Sequence, residues 1–302
     1  MPITTRQCTF RVERIFMREY NKSLYEKSFQ LLLKYERIVV RASTQDTKAL
    51  NELVKICDTD EKFSFLDELL SRFYYMDDTD YQKRIGQIAD HIIRMRYEPQ
   101  KTVIMAMAHD HETDGSQDVL NVLQVALLMK GYSGFSTDSR MDKPKKNHYN
   151  KGIRNFVVVD DFLGTGKTAF NRYKALKEAI GKDDIHISFC VASGMRFGVR
   201  YCHHNRMQQY CPLQLEKGLS GFYKGYDLSV KLYTLMELNT NLAKRIGDLD
   251  LKDYSMGWGR AESLFYRVGH NVPNNVSPLF WWKKYRDGTH RDTLFFRRQN
   301  GY

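Results

Sequence analysis

Two adjacent acids and a turn of small residues are the groups best suited to chemistry in this chain of 302 residues. Val157-Val158-Val159 runs directly into Asp160-Asp161, and Phe162-Leu163 leads on to Gly164-Thr165-Gly166-Lys167-Thr168. Ionised carboxylates accept hydrogen bonds only, so a pair at the end of a buried strand can hold the vicinal hydroxyls of a ribose. A turn rich in Gly and Thr that opens a helix offers amides and hydroxyls to a monophosphate, aided by the helix N-terminus. Diol on the acids and phosphate on the turn together describe a ribose 5-phosphate site. Gly166-Lys167-Thr168 also prompts a P-loop, but that motif needs a glycine where Asp161 stands. Two carboxylates at the mouth would repel a triphosphate, and no later apolar strand ends in an acid that could hold a metal.

The flanking elements must deliver these groups. Thr102 to Met107 is an apolar run of strand length, and a polar loop, Ala108 to Ser116, follows it. Val119, Leu120, Leu123 and Leu127 then mark an apolar helix. Phe156 to Val159 is apolar on both faces, as a buried parallel strand requires. A helix with Ala169, Tyr173, Leu176 and Ile180 on one face comes next, then a strand over Ile185 to Ala192. Alternating strand and helix predicts a doubly wound α/β domain with a mostly parallel sheet, whose ligands bind beyond the carboxyl ends of the strands. The first ~100 residues read instead as helices, on the 3.6-residue spacing of their apolar positions. One covers Tyr25 to Val40, one lies within Phe63 to Met76, and one follows Asp80 as N-cap and closes at Pro99. The expected division is a helical region over 1–99 and an α/β domain over 100–302 with an aromatic-rich end, in which Leu279 to Trp282 forms a late strand or buried edge.

The strand, two acids and Thr/Gly loop resemble the PRPP-binding signature of type I phosphoribosyltransferases, through Val157, Val158, Val159, Asp160, Asp161, Thr165, Gly166 and Thr168. Gly164 stands where Thr, Ser or Ala is usual, and Lys167 replaces a second glycine. The resemblance implies a sheet of that family's kind, with PRPP as substrate and Mg²⁺ as cofactor, bound through PRPP. It implies Asp160 and Asp161 as catalytic acids, and Gly164, Thr165, Gly166, Lys167 and Thr168 as the PRPP loop. The pyrophosphate loop would fall at Ala108 to Ser116, with Asp114, Gly115 and Ser116 opening the next helix. The family's basic or glycine pair is absent there, and His109, Asp110, His111 and Glu112 take its place. Arg140 to His148 stands where the family has a flexible closing loop. The helical N-terminal third and the Pro-Asn-Asn to Phe-Trp-Trp segment resemble a bacterial branch found as effectors in anti-phage conflict systems, some beside retron reverse transcriptases. That implies a nucleic-acid or nucleoprotein partner, such as a reverse transcriptase with its msDNA, and leaves a homo-oligomer open. A non-catalytic module that senses PRPP or a nucleotide, or docks a nucleoprotein, is the alternative to an enzyme.

Composition limits the remaining choices. Hydrophobic residues make up 42% and charged residues 27%, enough to bury a core and too much for bulk disorder. Lys and Arg number 47 against 36 Asp and Glu, a formal net charge of +11, which suits a polyanionic or phosphorylated ligand. No apolar run reaches the ~18 residues of a membrane span. The N-terminus lacks the basic and apolar regions of a secretory signal. With five irregularly spaced cysteines, this predicts reduced thiols and a cytoplasmic setting. His109, His111, Glu112 and Asp114 are metal-ligand types, but a solvated loop is the plainer reading. Cys202-His203-His204 with Cys211 lacks the paired spacing of a zinc site. Lys143 to Lys146 reads as a solvated face, and Arg297-Arg298 as a basic tail.

Overall fold

The computed structural model describes residues 23–35, 44–108 and 115–298. Its helical elements include α1 (23–34), α2 (Thr44–Lys55), α3 (Asp60–Arg72), α4 (Asp78–Arg94), α5 (Gly115–Met129), α6 (Pro144–Asn147), α7 (Lys167–Ile180), α8 (Arg196–His204), α9 (Gly225–Asn239) and α10 (Leu251–Tyr254). Among them run strands β1 (Tyr74–Met76), β2 (Thr102–Ala106), β3 (Ser136–Asp138), β4 (Asn155–Leu163), β5 (His186–Met195), β6 (Gln208–Tyr210) and β7 (Gln214–Leu215).

The chain divides into two compact units. One comprises Met76–Lys217. Its sheet has the order β3-β2-β4-β5-β6 with β7 also on β5, and every pair is parallel. The strand order reverses between β2 and β4, because β2 connects outward to β3 and β4 connects the other way to β5. Such a switch opens a crevice at the strand carboxyl ends. Val157, Val158 and Val159 are fully buried. Phe156 and Val158 share a core with Ala169, Leu176 and Ile180 of α7 and with Val199 and Cys202 of α8. α5 lies against β2 and β4, and α4 against α5. Helices therefore cover the sheet on both faces, the α/β fold that the apolar patterns predict.

The second unit joins the described residues up to Tyr75 with those from Gly218 onward. Leu66, Leu69 and Leu70 of α3 share one core with Leu235 and Leu238 of α9 and with Phe280, Trp281 and Trp282. Phe73 meets Phe280 edge-on, with centroids 4.9 Å apart. The two units differ from the division at residue 99. α4 belongs with the sheet, and the aromatic C-terminal segment closes the core of the N-terminal helices instead of extending the α/β domain.

Local elements differ too. Pro278–Phe280 is a 3-10 turn, not a strand; Pro278 suits the first helical position, and both tryptophans behind it are fully buried. Asp77, not Asp80, caps α4: its carboxylate accepts from the Asp80 amide at 2.7 Å. The helix begun near Asp60 ends at Arg72, and Tyr74–Met76 is extended. Of the helix expected over Tyr25 to Val40, the part beyond Tyr35 lies outside the described residues.

Candidate functional site

β4 carries both acids. Side chains alternate across an extended strand, so Asp160 faces the side of Val158 and α7, and Asp161 faces the opposite side. The structure thus brings both acids to the carboxyl end of the central strand, on its two faces. Asp160 is buried and Asp161 half-buried. Asp160 Oδ1 accepts the amide of Asp161 at 3.0 Å. The Ser193 hydroxyl of β5 donates to the Asp161 carbonyl at 3.0 Å, fixing the two strand ends together.

Asp161 reaches the first turn of α5. A Cβ built on Gly115 would lie 2.0 Å from Asp161 Oδ2, so the carboxylate occupies space that only glycine leaves open. Ser116, the next residue, is fully buried. Asp114 and the histidines and acids before it lie outside the described residues.

The loop after β4 turns at Gly166, whose φ of +79° is left-handed and suits glycine. Having no side chain, this N-cap leaves the first-turn amides of α7 uncapped from its own position. Thr165 Oγ1 accepts from the Lys167 amide at 3.4 Å, and Lys167 and Thr168 are exposed. Beneath the loop, α8 makes room. A Cβ on Gly198 would lie 2.1 Å from the Gly164 carbonyl oxygen, and one on Gly166 would lie 2.6 Å from the Gly198 oxygen. Gly194 of β5 abuts Leu163 in the same way, at 2.8 Å from its Cβ. Ser193, Gly194 and Gly198 are site-supporting residues that sequence reasoning passed over. The available signal was a cluster of small residues at the end of a buried strand and the start of the next helix.

The other constellations separate. Arg140 to His148 carries the short helix α6, which lies against α7, and is tied down by His148 Nε2 to Asp138 Oδ2 at 2.7 Å. Burial pushes the thiols of Cys190 and Cys211 up to about 12 and that of Cys202 up to about 11, so none is poised as a thiolate nucleophile. Among the described residues no group of three His, Cys, Asp or Glu side chains is placed to hold a metal ion. No helix among them is long and apolar enough to cross a membrane.

The described geometry is a parallel α/β sheet with two acids at its central strand end, a Gly/Thr turn opening a helix and glycines beneath that turn. The PRTase-CE family model matches residues 50–297, and the chain belongs to that phosphoribosyltransferase family. Similar solved structures include the xanthine-guanine-hypoxanthine phosphoribosyltransferase of Helicobacter pylori, 9% identical over 47% of this chain and 84% of that one, with a TM-score of 0.31. Adenine phosphoribosyltransferase from Thermoanaerobacter pseudethanolicus is 17% identical over 43% and 79%, with a TM-score of 0.28. A hypothetical protein from Neisseria gonorrhoeae with bound ppGpp is 11% identical over 54% and 96%, with a TM-score of 0.32. No curated protein matches the chain.

Proposed function

We propose that this protein binds PRPP at the end of β4 and transfers its phosphoribosyl group to an acceptor. The observation that carries the reading is the joint position of Asp160, Asp161 and the Gly166 turn around the strand end. The turn and the α7 N-terminus hold the 5′-phosphate. The two carboxylates take the ribose hydroxyls and set a negative field beside C1. In the reaction the acceptor's lone pair forms a new bond to C1, the C1–O bond to pyrophosphate breaks, and its electron pair leaves with pyrophosphate. The acceptor gives up its proton. Positioning and electrostatic stabilisation of the developing cation supply most of the acceleration.

Mg²⁺ fits this site as a companion of the substrate. Mg²⁺ is commonly held by one or two carboxylates together with substrate phosphates. With no group of three metal-ligating side chains among the described residues, the ion would be bound chiefly through PRPP, with at most one carboxylate of the strand end beside it. When bound, it would neutralise the pyrophosphate.

In a cell the reading extends to an anti-phage effector that acts with a nucleic-acid or nucleoprotein partner, for which the net charge of +11 is suited. A second reading is a non-catalytic PRPP- or nucleotide-sensing module. It is favoured by the sequence of the expected pyrophosphate loop, which lacks the family's basic or glycine pair and has His109, Asp110, His111 and Glu112 instead, and by the net charge of +11. Incubation of the protein with PRPP and Mg²⁺, with and without the partner, separates the two. Pyrophosphate release supports transfer, and saturable PRPP binding without release supports sensing; the absence of both release and binding overturns the site.

A further inference from the structure

We propose that the outer face of α9 is a self-association surface on which a second copy of this chain packs antiparallel. The helix Gly225–Asn239 carries apolar side chains on two faces, with Asp227, Ser229, Lys231, Thr234 and Glu237 interspersed. Leu228, Leu232 and Leu235 face the core of its own unit. On the opposite face, Tyr226 is 82% exposed, Tyr233 64%, and Val230 42%, with Met236 at the flank 54% exposed. An exposed apolar stripe opposite the core-facing one is the kind of surface that a partner covers. These four sit at a spacing of four, three and three residues, the repeat that a facing helix reads.

The charges at the ends of this stripe select the partner and its direction. Lys224, whose Nζ donates to the Ser220 carbonyl at 2.7 Å, precedes the helix, and Glu237, whose carboxylate has Lys62 Nζ at 3.9 Å, closes the stripe at the far end. In a parallel pair each charge would meet its like. An antiparallel pair centred between Val230 and Tyr233 sets Lys224 within reach of Glu237 of the partner subunit. It also sets the two helix dipoles against each other in the favourable sense. The same register brings Tyr226 to the partner subunit's Met236. There a surface cavity of about 430 Å³ lies between α3 and α9, lined by Asp58, Lys62, Tyr233 and Met236 among others. An exposed ring on each copy thus faces a cavity on the other, the self-complementary relation a two-fold axis requires. Aromatic side chains bury on the order of 150–250 Å² each. With Phe222 also exposed beside α9, the two copies together supply about 1,000 Å², the lower bound for a specific interface.

The test is the mass of the full chain in solution at micromolar concentration, by light scattering or sedimentation. The wild type should run at twice the chain mass. Tyr226→Glu with Tyr233→Glu, both at exposed positions, should convert it to a monomer with an unchanged circular dichroism spectrum. Lys224→Glu alone should weaken the dimer at least tenfold, and Lys224→Glu with Glu237→Lys should restore it. A monomeric wild type, a dimer that survives the double Glu variant, or a charge swap that fails to restore association would each overturn the proposal.

Discussion

The carboxylate of Asp161 sits where the side chain of residue 115 would begin: a Cβ on Gly115 would lie 2.0 Å from Oδ2 and 2.3 Å from Cγ. The contact joins the acid of the central strand to the first turn of α5, so the two candidate ligand loops share one fixed point. Gly115→Ala must move the Asp161 carboxylate. Alanine is the better helix former, so stability should change little. PRPP binding or turnover should fall at least tenfold, equivalent to about 1.4 kcal/mol. Wild-type affinity in Gly115→Ala, measured by calorimetry, would remove Asp161 from the site.

The turn at Gly166 depends on α8 in a similar way, through backbone atoms on both sides. Gly198→Ala places a methyl 2.1 Å from the Gly164 oxygen and 3.1 Å from the Thr165 carbonyl carbon, with no flexible side chain to yield. Overpacking of this kind costs about 1–3 kcal/mol. The expected result is a lower melting temperature together with weakened PRPP binding, since the phosphate loop itself is displaced. A variant that melts lower but binds PRPP normally would show that the loop does not hold the phosphate.

The strand, acids and turn were legible because each announces itself locally. Three valines in a row can be buried on both faces only in a covered sheet, and they are. Asp161 and Gly115 are 46 positions apart, and no local pattern signals that one fills the other's missing side chain. The same limit hid the second unit. Leu66 and Trp281 lie in one core although the whole sheet unit separates them in sequence. Read in order, the C-terminal aromatics continue the α/β domain. The Trp-Trp pair shows only that burial was readable and backbone shape was not, since Pro278 at a first helical position turns the chain.

Arg291 tests that second core. It is 1% exposed, and its guanidinium donates to the carbonyls of Leu279 at 2.8 Å and Trp282 at 3.2 Å. Hydrogen bonds from charged donors contribute about 1.5–3 kcal/mol each, while removing a buried charge recovers part of that. Arg291→Met should therefore lower unfolding free energy by roughly 2 kcal/mol net. Urea denaturation gives the value. No loss of stability would mean that this arginine does not hold the Leu279–Trp282 segment.

The polyanion reading makes a salt prediction. Each phosphate neutralised on duplex DNA contributes about −0.9 to the slope of log K against log salt. If nucleic acid is the partner, binding should weaken steeply between ~50 and ~200 mM salt. A flat profile, or no binding at low salt, would exclude an electrostatic nucleic-acid interface.

The acids themselves give the most direct test of mechanism. Asp160→Asn keeps an oxygen for the Asp161 amide, which Asp160 Oδ1 accepts at 3.0 Å, so the strand end should hold. Asp161→Asn keeps the size that fits against Gly115. With the fold preserved, the proposed mechanism has the double variant losing two charge-assisted bonds to ribose, each worth about 1.5–3 kcal/mol, and the negative field beside C1. Turnover should drop at least ~100-fold, because each 1.36 kcal/mol is about tenfold. The acids lie on opposite faces of β4, so each single variant should show a separate loss. Thr165→Ala should behave differently. On the proposed mechanism the 5′-phosphate is held alike in ground and transition states, so KM should rise while kcat changes little. Lys167→Gly should be tolerated, since that side chain is exposed at the start of α7 and the Gly166 turn does not depend on it. Pyrophosphate release by wild type, both single variants and the double variant, with the partner present, decides the matter. A double variant with full turnover would refute the assignment of these two acids.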